Sequence, residues 1–391
     1  MKPKRRNKGI SRRTERSAFF LLEKDNQMPI IIDAHEDLAF NMLAYGRDYR
    51  LSVNEIRQSE TGTPIPEAAG HTLLGWPEMQ LGQVAVVFAT LFIEPKKFQF
   101  VKWGNQAYKT IAEAASLHQA QYDAYVRLAE EAPDKYCLIK ERSELIELLD
   151  KWEQDPPDYP EKTQPTGMVL LMEGAEGIND PSEMEVWREK GVRIVGPVWA
   201  GTRYCGGTFE PVGGFSPEGF HLLEVMADVG LILDISHMND RSAREALARF
   251  EGPVIASHAN ARSLLKNPNL ERHLTDAAIC DLVGRNGVIG VIPFNKFLKP
   301  GWTPGDARET ISIELLADQV DYICQLVGCA DHVGLGTDFD GGFGLPDVPG
   351  EIDSIASMQK FVPILAARGY TDSEIASIMG GNWRRFLEEH L

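Results

Sequence analysis

Nowhere in this sequence does an apolar run reach the roughly 18 residues that a membrane-spanning helix needs, so the expectation is a soluble protein with no membrane partner. Positive charge is also scarce. Forty Lys and Arg stand against 57 Asp and Glu, a formal net charge of −17, which argues against nucleic acid bound along the body of the fold. Cysteine is sparse and odd in number: Cys137, Cys205, Cys280, Cys324 and Cys329 are scattered, and none forms a Cys-x-x-Cys pair. A disulfide framework is thereby excluded, and the pattern suits a reducing, cytoplasmic compartment. Internal repeats are absent, and low-complexity sequence is confined to a basic head.

That head holds eight of the 40 basic residues between Lys2 and Arg16. The apolar patch behind it, Ala18-Phe19-Phe20-Leu21-Leu22, is too short for a signal peptide and ends at Glu23-Lys24-Asp25. Residues 1 to 28 are therefore expected to be a basic, disordered extension, and residues 29 to 391 one domain. A tether to an anionic surface is the alternative role for the head, set below a solvated tail.

The remaining chain, with 43% hydrophobic content overall, can bury a large core. Ile30-Ile31-Ile32 marks a buried strand, and the polar burst His35-Glu36-Asp37 follows where it should end. Because side chains alternate along a strand, His35 and Asp37 should project to one side, where an imidazole and a carboxylate can share a divalent ion. Further apolar runs recur: 83–93, 167–172 leading to Glu173-Gly174, 192–198 leading to Trp199, and 231–235 leading to Ser236-His237. Then come 254–256 leading to Ser257-His258, 287–292 leading to Pro293-Phe294, and 333–336 leading to Thr337-Asp338-Phe339-Asp340. A helix is expected from about 105 to 132, stopped by Pro133.

Eight buried strands alternating with helical segments predict parallel pairing through crossovers, and eight such units close into an α/β (β/α)8 TIM barrel. An open doubly wound sheet competes, but the first strand is not followed by the glycine-rich phosphate turn of a dinucleotide fold. In the barrel, chemical side chains after strands one, three, five, six and eight would converge on one rim. Singly, each has a plain reading: loop histidines, a helix-capping Glu173, turn-forming Asp338 and Asp340. Jointly, His35, Asp37, Glu173, His237 and His258 are enough for two divalent ions with a carboxylate between them.

These residues resemble a known family. His35-x-Asp37, Glu173-Gly174, Asp234-Ile235-Ser236-His237, Pro253-Val254-Ile255-Ala256-Ser257-His258, Val333-Gly334-Leu335-Gly336-Thr337-Asp338-Phe339-Asp340-Gly341 and the terminal Ile378-Met379-Gly380-Gly381-Asn382-Trp383-Arg384-Arg385 look like the membrane (renal) dipeptidases, zinc peptidases on an amidohydrolase-type barrel. The resemblance spans about Ile30 to the C-terminus. It implies two zinc ions per chain, with other divalent ions as substitutes. His35 and Asp37 would hold one, His237 and His258 the other, and Glu173 would bridge them. Two such ions can hold a shared hydroxide at neutral pH and polarise the scissile carbonyl. The resemblance further implies that Asp338 handles the proton and meets the substrate's amine, that Arg272 grips its carboxylate, and that the protein is a homodimer acting on dipeptides.

Two departures accompany it. Trp199 stands where the family usually has a histidine that steadies the tetrahedral intermediate, and an indole can neither carry positive charge nor accept a hydrogen bond. Phe294 falls where some members carry a tyrosine. Both residues are expected to line the substrate site. The alternatives are another binuclear hydrolase of N-acyl amino acids, lactones or phosphoesters, and a metal-binding barrel without catalysis. Retention of Asp338 speaks against the last.

Overall fold

The aliphatic runs become eight strands: β1 (Ile31–Glu36), β2 (Val84–Phe92), β3 (Thr166–Glu173), β4 (Val192–Gly196), β5 (Ile232–Asp234), β6 (Val254–Ile255), β7 (Ile289–Val291) and β8 (Val333–Leu335). Every residue of all eight is buried, as continuous apolar strands covered on both faces require. In this computed structural model the described residues are 28–99, 101–265 and 271–391. The basic head expected over residues 1 to 28 lies outside them, apart from Met28.

All pairings among the eight are parallel, in the order β7-β8-β1-β2-β3-β4-β5-β6. Between the two ends of that order, Ala256 N donates to the Val288 carbonyl at 3.0 Å and Gly290 N to the Ala256 carbonyl at 2.8 Å. These bonds bring the sheet to a nearly closed (β/α)8 barrel. No helix among the described residues is long and apolar enough to cross a membrane.

Three local features fix the strand ends. The first is β3, which pairs along one edge with β2 from Gly167 to Glu173 and along the other first with Tyr136–Leu138 and then with β4. Glu173 ends this strand with neighbours on both sides, Phe92 and Gly196, so its backbone is fixed. The second is a register shift in the β1–β2 ladder between Asp33 and Glu36, the kind of irregularity that re-aims side chains at a barrel rim, here beside His35 and Asp37.

The third lies at the other end of the barrel. Trp383 Nε1 donates to the Leu335 carbonyl at 2.9 Å, and Asn382 Nδ2 donates to the carbonyls of Ala330 and Val333 at 2.7 and 2.8 Å. Gly334 has no side chain because it cannot: a Cβ there would sit 2.2 Å from Trp383 Nε1. The Asn382-Trp383 pair of the closing helix (Asn382–His390) thus holds β8 in place.

The long helix spans Ile111–Glu131, later than the expected start at 105. Ala107–Tyr108 instead pairs with Glu94–Pro95, and the helix begins only where Thr110 and Glu113 close a capping box.

Candidate metal centre

One spacing repeats around the rim. Trp199, His237, His258, Phe294 and Asp338 each lie three residues beyond the last residue of β4, β5, β6, β7 and β8, at 196, 234, 255, 291 and 335. Glu173 is the last residue of β3, and His35 and Asp37 straddle the end of β1. Consequently they share the face where a barrel presents its site. Two of them occupy left-handed backbone conformations that side chains rarely adopt, His237 at φ 65° and Asp338 at φ 57°. Such strain persists only where the surroundings impose it, and it clusters at functional sites.

The five residues singled out as metal ligands come together around Glu173. Its Oε2 lies 3.4 Å from His35 Nε2, while its Oε1 lies 3.0 Å from His237 Nε2 and 3.5 Å from His258 Nε2. One carboxylate therefore faces His35 with one oxygen and His237 and His258 with the other. His35 Nε2 is also 3.9 Å from Asp37 Oδ1 and 3.9 Å from Asp338 Oδ1. Three sets could each hold an ion: His35, Asp37 and Glu173; Glu173, His237 and His258; and His35, His258 and Asp338. In each, the ligand atoms lie within 4.8 Å of one another.

Whether the residues fit a cation can be judged from their own geometry. His35 Nε2 and Glu173 Oε1 are buried without a hydrogen-bond partner, and the Nε2 atoms of His237 and His258 face each other at 2.9 Å. Unshared lone pairs aimed at one spot from imidazole and carboxylate donors, with no thiolate, suit a catalytic divalent ion such as zinc. Charge agrees. Burial, with the Asp234 carboxylate adding to it, pushes Glu173 up to about 8, and burial together with the nearby Glu173 pushes Asp37 up to about 7. Asp338 is raised well above the usual carboxylate range by burial. His237 and His258 are held neutral, far below the usual imidazole range, by burial and by the positive charges around them. Neutral imidazoles keep their lone pairs for a metal, and a cation would reverse the cost of ionising the carboxylates.

A layer of buried partners orients these groups. The Ser257 hydroxyl donates to Asp234 Oδ2 at 2.5 Å, so it must accept from His258 Nδ1 at 2.7 Å. That assignment leaves His258 Nε2 unprotonated, pointing at the cluster. Ser257 Oγ also lies 3.4 Å from His35 Nδ1. Asp234 in turn accepts the backbone N–H groups of Ser236 and Ser257 at 2.9 and 3.0 Å. Asp37 accepts the Thr90 hydroxyl. Asp33 accepts from Thr337 N at 2.7 Å and Thr337 Oγ1 at 2.5 Å, which fixes the approach to Asp338.

Asp340 belongs to a different network. It is buried and accepts from Tyr49, Thr72 and the Leu73 amide at 2.8, 2.5 and 2.8 Å, with Arg47 Nη1 3.1 Å away.

Beside the cluster lies a cavity of about 340 Å³. Asp37, Glu173, His237, Arg272 and Asp338 line it, together with Trp199 and Phe294. Arg272 is 4% exposed; its Nη1 donates to the His258 carbonyl at 2.9 Å, while its Nη2 is buried with no hydrogen-bond partner. Trp199 packs against Phe209, Phe92 and Phe98, with ring centroids 4.8, 5.2 and 6.2 Å away, and its ring lies 6.0 Å from that of His237.

Several contributors escape a reading of the sequence. Asp234 and Ser257 sit inside conspicuous motifs on neighbouring strands, and only the pairing of β5 with β6 shows that they touch. Thr90 is one residue of an apolar run. Phe209, Phe297 and Phe343 carry no local signal at all.

Comparison with known proteins gives a consistent result. The membrane dipeptidase family (peptidase family M19) matches residues 25–390. An uncharacterized protein of the pqqA 5′ region of Klebsiella pneumoniae is 29% identical over 230 residues, 56% of this chain and 81% of that one. The dipeptidase tcpJ of Claviceps purpurea is 26% identical over 370 residues, 91% of this chain and 76% of that one. Among solved structures, a metallopeptidase of Rhodobacter sphaeroides liganded with a phosphinate mimic of the dipeptide L-Ala-D-Ala superposes with a TM-score of 0.73 at 19% identity, over 93% of this chain and 100% of that one. That last likeness is one of fold.

Proposed function

The chain belongs to the membrane dipeptidase family, and from that premise we propose that it hydrolyses the peptide bond of small dipeptides with two divalent ions, zinc in the first instance. His35 and Asp37 would hold one ion, His237 and His258 the other, with Glu173 between them. The observation that carries this reading is the division of Glu173, one oxygen toward His35 and the other toward His237 and His258. Ions in that position would activate water and polarise the scissile carbonyl.

The protein's own groups supply the rest. Arg272 presents a buried, unpaired Nη2 to the cavity, which suits the substrate's free carboxylate. Asp338 lines the same cavity with its carboxyl raised by burial, so that it can hold a proton near neutral pH and pass it to the leaving amine. Arg272 is tied to the His258 carbonyl, and Asp338 follows the end of β8 by three residues. A homodimer and a cytoplasmic location remain proposals drawn from the family resemblance and the scattered cysteines.

A second reading has one specific observation in its favour. Trp199 occupies the edge of the cluster, where it can wall off the site but cannot lend positive charge to an oxyanion. A broader amidohydrolase, acting on another small amide with a free carboxylate, accommodates that wall equally well. A library of dipeptides and N-acyl amino acids screened with zinc-loaded protein, before and after chelation, separates the two. Chelator-sensitive cleavage of dipeptides is the expected outcome. Cleavage of N-acyl amino acids but of no dipeptide would transfer the assignment to the broader class.

A further inference from the structure

Three phenylalanines make one surface beside the arginine. Phe294 and Phe343 stack with centroids 4.3 Å apart and planes 7° from parallel, and Phe297 meets Phe294 edge-on at 4.8 Å. The guanidinium of Arg272 lies 5.5 Å from the Phe297 ring centre, and its Nη2 has no hydrogen-bond partner. Phe343 is nearly buried, but Phe294 and Phe297 are only partly so, and all three line the cavity that holds the polar cluster. Packing of the core would explain rings that are fully covered. It does not explain two half-covered rings facing a cavity next to a cation with an open hydrogen-bonding position.

We infer that these rings are the seat for the side chain of the substrate's C-terminal residue, and that the subsite selects a large apolar side chain, aromatic above all. The inference rests on the proposed role of Arg272, since a carboxylate held there places the residue that bears it against Phe297. A small or polar side chain would leave the aromatic surface wet or give up its own water without a partner. A phenyl ring would bury its faces against Phe294 and Phe297, and aromatic pairs gain beyond the area they cover.

The test is kcat/KM on zinc-loaded enzyme for Ala-Phe, Ala-Leu, Ala-Ala, Ala-Glu and the reversed Phe-Ala. Ala-Phe should exceed Ala-Ala by on the order of 10–100-fold, the range that pocket complementarity to apolar groups reaches, with Ala-Leu between them. Free phenylalanine should inhibit at lower concentration than free alanine, a readout that needs no turnover of the aromatic substrate. F343L keeps an apolar residue but removes the stacked ring, and should shrink the Ala-Phe to Ala-Ala ratio severalfold at unchanged metal content. Ala-Phe and Ala-Ala cleaved within threefold of each other would overturn the subsite and leave the dipeptidase reading intact. A preference for Phe-Ala would move the aromatic seat to the other residue. A preference for Ala-Glu would point to Lys296, which lines the same cavity; either result overturns the inference. No cleavage of any dipeptide at full metal content would remove the dipeptidase reading, and this inference with it.

Discussion

On one side of the cavity most of the polar groups are braced by the barrel: His258 and His35 meet at Ser257, Ser257 hangs on Asp234, Asp37 on Thr90, and the approach to Asp338 on Asp33 through Thr337. On the other side Trp199 and Phe209 stand on the segment after β4 and are held by rings, among them Phe98 from the segment after β2, with Phe209 itself 50% exposed. The braced side consists of hydrogen bonds between strand ends, which have one geometry. On the aromatic side the backbone is tied by bonds such as Thr208 N to the His237 carbonyl at 2.8 Å, but the rings themselves meet through dispersion contacts, which tolerate several geometries. This contrast suggests a division of work in which the first side sets the reaction and the second sets what enters it.

The sharpest way to break the contrast is at Glu173. In Glu173→Ala both halves of the cluster lose their shared carboxylate, so metal analysis should show loss from both. Hydrolysis should fall by at least about 10³-fold, the scale on which members of a cooperating catalytic set act. Full metal occupancy in that variant would refute the ligand assignment.

The two sides also differ in how far they can be read from sequence. Runs of Val, Ile and Leu mark the eight strands, and the chemical residue at or just past each strand end is visible in the one-dimensional text because the barrel fixes which end faces the site. His35, Asp37, Glu173, His237, His258 and Asp338 are found in this way. The capping box that delays the long helix to Ile111 is also written locally, in Thr110 and Glu113, but the pairing of Ala107–Tyr108 with Glu94–Pro95 is not. Phe297 and Phe343 are legible only in space. They lie 46 residues apart: Phe297 meets Phe294 three residues along a short helical turn, but Phe343 reaches it only through loop geometry that no period encodes.

Arg272 joins the two sides, and its loss should divide substrates by charge. Arg272→Ala should reduce kcat/KM for free-acid dipeptides by about 10–100-fold, the equivalent of roughly 1.5–3 kcal/mol for a charge-assisted hydrogen bond, and much less for the corresponding amides. Arg272→Lys should recover only part of it, because a point charge lacks the planar fork. Equal losses on acids and amides would show instead that the guanidinium serves to hold the His258 carbonyl.

Ser257 tests the bracing itself. Ser257→Ala removes the hydroxyl that orients His258 without touching a proposed ligand atom, and loss of such a supporting partner typically costs about 10–100-fold in metal affinity. Zinc titration against a competing chelator would measure it. An unchanged affinity would mean that strand pairing alone orients the imidazoles, and the contrast between the two sides would weaken accordingly.

The smallest effect is expected at Trp199, where two consequences oppose each other. Trp199→His places a group able to carry positive charge beside the His237 edge of the cluster, and a donor that stabilises a developing oxyanion can be worth on the order of 10²–10³ in turnover when well placed. The same change removes an indole packed against Phe92, Phe98 and Phe209, so the new imidazole will be less well held and the thermal midpoint should fall. Discounted for that loss of order, kcat on small dipeptides such as Ala-Ala should rise by about tenfold at most, while KM for bulky substrates increases. Metal content should not change, because Trp199 is not among the groups whose donor atoms converge around Glu173. A variant that folds, binds its metal and loses activity on every dipeptide would show that the indole is part of the recognition surface for another amide. The aromatic side of the cavity would then define the substrate more narrowly than the braced side defines the chemistry.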